Sequence, residues 1–358
     1  MTSTANKMTP QERVACTMNG EKPDKLPIVV INSNTFMCMY YGLSVEEYVS
    51  DPVKCADANI KFIKEFEVDC DLFPTGYILY GCGPELGVKW KFVGDQFPGF
   101  IDVPINTEAD LESFMIPTEP SGYFKTYLET IKLVNDALGD NYHLTASILG
   151  PFTTACFLHG IEATLLDTIM KPDFFHKLME RCTEISTFFG KSILDTGLKT
   201  PILNEIFLSP GTIRPETYHN MIAQYDHKVQ QILGPEKTPN SFAFMGKPNN
   251  IESQKISTSL YGAFFGVGES LSAIKMAAQE DRSPGFPFPA SISGRALDTW
   301  DIKSILNFLK PALDFLVKEK GIYPSVSLSS VQAHTPEKAH DLAEKIKIIK
   351  AFRDDYLL

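Results

Sequence analysis

Cysteine is missing from everything after residue 182, and arginine from the whole stretch between Val14 and Glu180. The cysteines present, Cys16, Cys38, Cys55, Cys70, Cys82, Cys156 and Cys182, are odd in number, scattered, and never spaced as CxxC. That pattern excludes a disulfide framework and suits reduced thiols. No apolar run approaches the roughly 18 residues of a membrane-spanning helix. The start, MTSTANKMTPQERVACTMNGEK, is polar and has no signal-peptide core, so no membrane contact is expected and the expected location is cytoplasmic. Basic charge is also scarce. Lys and Arg number 33 against 44 Asp and Glu, a formal net charge of -11, and such a surface has no basic face for nucleic acid or anionic lipid. The pair Gly266-Val267-Gly268 lacks the third glycine of a dinucleotide fingerprint.

What the sequence does hold is a repeated order: a short apolar run, a turn rich in Gly, Pro, Asn and Ser, then a longer amphipathic stretch. The runs are residues 26–31 (LPIVVI), 70–73 with their flanks (VDCDLFP), 143–149 (HLTASIL), 201–208 (PILNEIFL), 241–245 (SFAFM), 260–265 (LYGAFF), 286–292 (FPFPASI) and 323–328 (YPSVSL). Helical patterns fill residues 45–66, 123–138, 161–170, 172–194, 215–233, 302–320 and 336–352. Three of these begin with Pro near the first helical position followed by an acid: Lys171-Pro172-Asp173, Arg214-Pro215-Glu216 and Thr335-Pro336-Glu337. Continuous apolar runs alternating with helices predict a parallel sheet. Eight of them predict one (β/α)8 TIM barrel over residues 1–358, with a helical N-terminal lead-in and a small antiparallel insert around residues 77–103. The two prolines in residues 286–292 are unusual for a central strand, which keeps a doubly wound open sheet as the alternative.

A barrel places its chemistry in the loops after the strands. Those loops carry Asn32, Ser33 and Asn34, Tyr77 and Tyr80, Gly150 to Thr153, Asn204 and Glu205, Met245 to Lys247, Gly266 to Glu269, Ser291, Ser293, Arg295, Ser329, Ser330 and His334. The set is polar with few charges, and no catalytic triad stands out.

Several segments resemble the uroporphyrinogen decarboxylase superfamily. MTPQERVACTMNGEKPDKLPIVV is similar to its N-terminal helix, turn and first strand. LTASILGPFTTACFLHG resembles its central strand, Gly-Pro-Phe/Trp-Thr turn and helix, FLSPGTIRPETYHNMIAQYDHKV a later helix, and SLSSVQAHTPEKAHDL its last strand and helix. The resemblance implies a single (β/α)8 barrel. Decarboxylases of this group carry an arginine-bearing Met-Arg-Gln-Ala-Gly-Arg-Tyr run after the first strand. This chain has Asn32-Ser33-Asn34-Thr35-Phe36-Met37 there, so the guanidinium partners of a polycarboxylate are missing. The coenzyme M methyltransferases of the group hold zinc with a His-x-Cys-Gly motif, where this chain has Ala243 and Met245 in the His and Cys places. What the resemblance then implies is the corrinoid-dependent branch that moves a methyl group from a methoxylated, aromatic small molecule to the cobalt(I) of a separate corrinoid protein.

Such a reaction needs an apolar slot for a ring and an acid or Lewis acid for the departing oxygen. Asn32, Asn34, Phe36, Tyr77, Tyr80, Phe152, Met245 and Lys247 are the expected substrate-binding residues, and Glu205, Glu269 and His334 the expected catalytic ones. Zinc is left open, with Glu205, Glu269 and His334 as its ligands if it is bound. Each has a plainer reading. Aromatics at strand ends pack barrels, Glu205 closes a buried ion pair, Glu269 caps a helix, and His334 precedes a helix cap at Thr335. The expected partners are a corrinoid protein and a small-molecule methyl donor, and a homodimer is compatible. The competing functions are a lyase on a smaller acid, which would draw on Arg214, Lys247 and Arg295, and a binding homologue without catalysis.

Overall fold

The computed structural model describes residues 7–31, 33–72, 83–94, 98–208, 213–234, 240–242, 263–264, 270–278 and 289–357. Eight parallel strands form one sheet: β1 (Ile28–Ile31), β2 (Cys70–Leu72), β5 (His143–Leu149), β6 (Thr200–Glu205), β7 (Asn240–Phe242), β8 (Ala263–Phe264), β9 (Pro289–Ser293) and β10 (Ser325–Ser329). Between the second and third of these, β3 (Lys89–Lys91) and β4 (Gly99–Asp102) make the antiparallel insert that the sequence predicts. Each of the eight apolar runs yields a strand.

The sheet order is β8-β7-β6-β5-β2-β1-β10-β9. Consecutive strands of the sheet are neighbours except β8 and β9, and the first pairs with the last, Ile28 with Val326 and Ile31 with Ser329. That is the order of a barrel opened at one seam, between β8 and β9, whose pairing is absent among the described residues. Pro289 starts its strand rather than interrupting it, which removes the conflict posed by its lack of an N–H.

The two faces of the sheet differ in chemistry. Ile28, Val30, Ala146, Ile148, Leu203, Ala290, Ile292, Val326 and Leu328 point into the main core, against the helices. The alternate positions face inward: Val29, Thr145, Ser147, Leu149, Ile202, Asn204, Ser291 and Ser327. The Pro10–Met18 helix, capped by a Thr9–Glu12 capping box, lays Val14 against Val29 and Cys70 at the N-terminal end of the strands. There a buried ion cluster gathers distant segments. Asp69 receives Arg13, Arg353 Nη1 at 3.1 Å and the Ile28 N–H at 2.7 Å.

Most helices arise where the periodicity places them, and four departures stand out. Residues 45–66 break at Asp51-Pro52 into Val45–Ser50 and Pro52–Phe66, Asp51 capping the second. Pro311 has no N–H to give its helix, and a π turn, Asp314–Glu319, follows Ile302–Leu313. The stretch from Pro215 holds a second π turn, Tyr218–Ile222, before Ala223–Leu233. The segment after β1 is itself a helix, Asn34–Tyr41, where a loop was expected. The six described cysteines are buried and none is in a disulfide, and no helix of the described residues is long and apolar enough to cross a membrane.

Candidate functional site

The C-terminal ends of β5 and β6 bring together the residues that shape this site. Leu149 ends β5 on the inner face and is paired in register with Asn204. Above it lies a small apolar cluster separate from the main core: Leu149 and Phe157, packed by Ile206 and Phe207. Phe157 belongs to the Pro151–His159 helix, and its ring meets that of Phe207 at 5.2 Å between centroids. Phe100 of β4 stacks on Phe157 at 4.8 Å and 21°. The insert is fastened in that position, because the Ile105 N–H donates to the Leu158 carbonyl at 3.0 Å and His159 Nδ1 sits 2.8 Å from the Ile105 carbonyl. An aromatic wall therefore stands over the strand ends.

Below the wall the described inner-face residues are uncharged, and hydroxyls and an amide stand among the apolar ones. The side-chain oxygens of Ser147, Asn204, Ser291, Ser325 and Ser327 are buried and have no hydrogen-bond partner among the described residues. Unpaired buried oxygens are costly and call for water or a ligand to satisfy them.

Glu205 ends β6 with its carboxylate turned to the helices. Its Oε1 accepts from the Phe152 N–H at 2.9 Å, and its Oε2 accepts from the Thr153 N–H at 2.7 Å and the Thr153 hydroxyl at 2.6 Å. The carboxylate thus fills the positive N-terminus of the Pro151–His159 helix. This accounts for the Gly-Pro-Phe-Thr turn residue by residue. A Cβ on Gly150 would overlap the Glu205 carboxyl, Pro151 needs no N–H partner at the first helical position, and Phe152 and Thr153 supply the donors. Burial raises the pKa of Glu205, and its partner Asp226 is raised well above the usual carboxylate range, first by burial and then by the charge of Glu205.

The expected site residues fall into three groups. Asn32, Tyr77, Tyr80, Met245, Lys247 and Glu269 lie outside the described residues. Phe36, Asn34 and Phe152 are described, but away from the strand-end rim. Phe36 packs against Tyr40, Phe62 and Phe66 in the helical layer. Asn34 Oδ1 accepts from the Tyr48 hydroxyl at 2.9 Å, and the Phe152 ring is fully buried in the main core. The reason is the unforeseen helix after β1 and, for Phe152, a helical position five residues short of the wall. His334 is exposed, with Thr335 beside it capping the last helix, as the plainer reading has it. Among the described residues Glu205 closes no ion pair, its hydrogen-bond partners being neutral donors. Of the proposed zinc ligands, Glu205 is sealed away from the inner face with both oxygens engaged, His334 is exposed, and Glu269 lies outside the described residues. No group of three His, Cys, Asp or Glu that could hold a metal occurs among the described residues. Two described hollows, of about 330 and 530 Å³, lie on the outer helices and belong to neither face of the sheet.

Sequence reasoning missed Phe157, Phe207 and Phe100. The first two were visible in ACFLHG and NEIFL, next to residues that were singled out.

Strand order, helical layer and a site at the C-terminal strand ends define an α/β protein of barrel-type order. Residues 9–251 match the family described as Uroporphyrinogen decarboxylase (URO-D), more than half of the chain, and the protein belongs to that family. Among its relatives, the uroporphyrinogen decarboxylase of Sulfurimonas denitrificans is 25% identical over 51% of this chain and 54% of its own length. That of Aliarcobacter butzleri is 28% identical over 44% and 46%, so the chain spans about half the length of these decarboxylases. The methylcobamide:CoM methyltransferase MtaA of Methanosarcina barkeri is 19% identical over 92% of this chain and 97% of its own. The structure of a methyltransferase from Methanosarcina mazei superposes with a TM-score of 0.77 at 17% identity, covering 98% of this chain and all of that one. That likeness is one of fold.

Proposed function

We propose that the protein is a corrinoid-dependent methyltransferase, taking a methyl group from a methoxylated aromatic molecule and passing it to a corrinoid carried by a partner protein. The observation that carries the reading is the pairing of an aromatic wall, Phe100, Phe157 and Phe207, with a neutral inner face of serine hydroxyls and Asn204. Among the described residues such a face suits an uncharged ring and offers a polycarboxylate no guanidinium; Arg282 lies outside them. Arg13 and Arg353 are consumed by Asp24 and Asp69 at the opposite end of the strands. Arg214 and Arg295 are exposed, and Arg181 pairs with Glu184 on its own outer helix at 3.6 Å. The near full-length match to a methylcobamide methyltransferase supports the same reading, beside decarboxylase matches that cover 46% to 66% of those proteins.

In this reading the sheet closes into a barrel across β8 and β9, and the donor ring lies against Phe157 and Phe207. The corrinoid supplies the nucleophilic metal. The chain's own residues exclude water and fix the ring, which converts an encounter into an in-line approach. Hydroxyls of the inner face and Asn204 hold the donor's oxygen in a neutral hydrogen-bonded setting. Glu205 acts indirectly, by fixing the helix that carries Phe157.

Mixing the protein with a reduced corrinoid protein and 2-methoxyphenol tests this. The corrinoid spectrum is expected to change to that of the methylated form, with release of the demethylated phenol. No spectral change with a panel of methoxylated aromatics, together with carbon dioxide release from uroporphyrinogen, would replace the reading with the decarboxylase one.

A further inference from the structure

Asp226 has no part in the reading above, yet it is a carboxyl with no exposed surface lodged against another. It sits in the first turn of the Ala223–Leu233 helix, just past the π turn Tyr218–Ile222, a feature that often marks functional positions. The Tyr218 hydroxyl donates to Asp226 Oδ2 at 2.9 Å. Oδ1 has no hydrogen-bond partner among the described residues, and the buried Glu205 carboxyl lies close enough for its charge to act on Asp226.

Two carboxylates are acceptors only, so a hydrogen bond between them requires one proton. Glu205 already receives three donors, which stabilise its charge, so the proton belongs on Asp226 Oδ1. The donors then form one chain. Tyr218 donates to Asp226 and the protonated Asp226 to Glu205. Thr153 also donates to Glu205, and the Ile206 N–H donates to Thr153 Oγ1 at 3.0 Å. This chain ties the Ala223–Leu233 helix to the end of β6 and to the first turn of the helix bearing Phe157.

We propose that Asp226 is a positioning residue of the strand-end site: its carboxyl lends a proton to Glu205, and so holds the first turn of the Pro151–His159 helix and the aromatic wall in place. The proposal concerns the wall itself and stands whichever molecule the wall receives. The groups around the pair are Tyr218 on the adjoining helical stretch and Cys156 on the Pro151–His159 helix, with Cys182 of the Pro172–Leu194 helix near Cys156. Cys156 is kept protonated, first by burial and then by the charge of Glu205. Among the described residues neither Glu205 nor Asp226 forms an ion pair with Lys, Arg or His, so the shared proton is what relieves the repulsion. A carboxyl whose folded pKa is raised contributes its full stability below the ordinary value of 3.8. That contribution is lost progressively as pH rises toward the folded value.

The test uses the full chain with Trp300→Phe, which leaves Trp90 as its one tryptophan. Trp90 lies 6.4 Å from Phe100, which in turn stacks on Phe157. Melting temperature and acrylamide quenching of Trp90 are followed from about pH 5 to pH 9, a span the linkage above makes informative, in this background and with Asp226→Asn or Asp226→Leu. The Asn variant keeps a permanent donor toward Glu205 and an acceptor for Tyr218. The melting temperature of the Asp226 protein is expected to fall, relative to Asp226→Asn, by about 3 °C or more over that range, and its Trp90 to become more open to quencher. Asp226→Asn should stay flat in quenching, and Asp226→Leu should be open throughout. Parallel titration of the parent chain and the Asp226→Asn variant overturns the proposal, as does a change in melting temperature with unaltered quenching. Should both variants fail to fold, the parent chain decides alone: the infrared C=O band of a protonated buried carboxyl at neutral pH supports it, and its absence overturns it.

Discussion

Each oxygen of Glu205 is engaged by a donor from the turn after β5, and this gives the residue a definite energetic role. Glu205→Gln keeps the shape but turns one acceptor into an NH2 that faces backbone N–H groups. The expected cost is about 1–3 kcal/mol, read as a lower urea midpoint at unchanged slope; an unchanged midpoint would show that the capping carries no weight. A loss of turnover in this variant should follow the loosened wall. In the sequence Glu205 stood out as an acid inside an apolar run, which correctly marked it as unusual. Which face of the sheet it takes is settled by what packs beside it, and Gly150 leaves the space on the helical side. Phe157 is the complementary case. Phe157→Leu preserves apolar volume while removing the stacked ring, and affinity for 2-methoxyphenol should weaken about tenfold, the scale of one aromatic pair, by titration calorimetry.

At the scale of elements, the wall depends on how the β3–β4 insert is anchored. His159 bridges the Ile105 carbonyl and Asp167 Oδ2, the latter at 3.1 Å. His159→Ala leaves Asp167 buried with one partner fewer and frees the insert from the helix end. Proteolysis within residues 89–102 should accelerate severalfold, with a loss of about 1–2 kcal/mol in stability; unchanged protease resistance would mean that the Ile105–Leu158 backbone bond suffices. Strand and helix positions were legible because period-2 and period-3.6 patterns are local. The helix Asn34–Tyr41 was not, because its sequence, NTFMCMYY, is apolar on nearly every side and buried through most of its length. A helix without a polar face has no amphipathic period to detect.

At the scale of the whole chain, the N-terminal end of the sheet is locked by charge, while the described inner-face residues toward its C-terminal end are uncharged. Asp69 joins Arg13 from the first helix, Ile28 from β1 and Arg353 from the last helix, so it ties together the two ends of the chain. Asp69→Asn leaves buried Arg353 with the partly exposed Asp354 as its one carboxylate among the described residues, and should cost about 3 kcal/mol, measurable by urea unfolding. Asp24 adds a pH dependence. Partial burial opposes its ionisation, but the Arg13 guanidinium outweighs that and holds its pKa below the ordinary 3.8. The resulting stability is present above that value and is lost as pH falls through the folded one, so Asp24→Asn should flatten the acid limb of the stability profile.

The sequence by itself determined the eight strands and their helices, the reduced cysteines, the scarcity of arginine through the first half, and the family, because composition, periodicity and turn chemistry are written along the chain. The tertiary structure alone decided which side chains meet: Phe100 over Phe157, Thr153 with Glu205, Glu205 with Asp226. The physical reason is that a strand offers its residues two faces, and only the helices and inserts packed against them decide which becomes core and which becomes site.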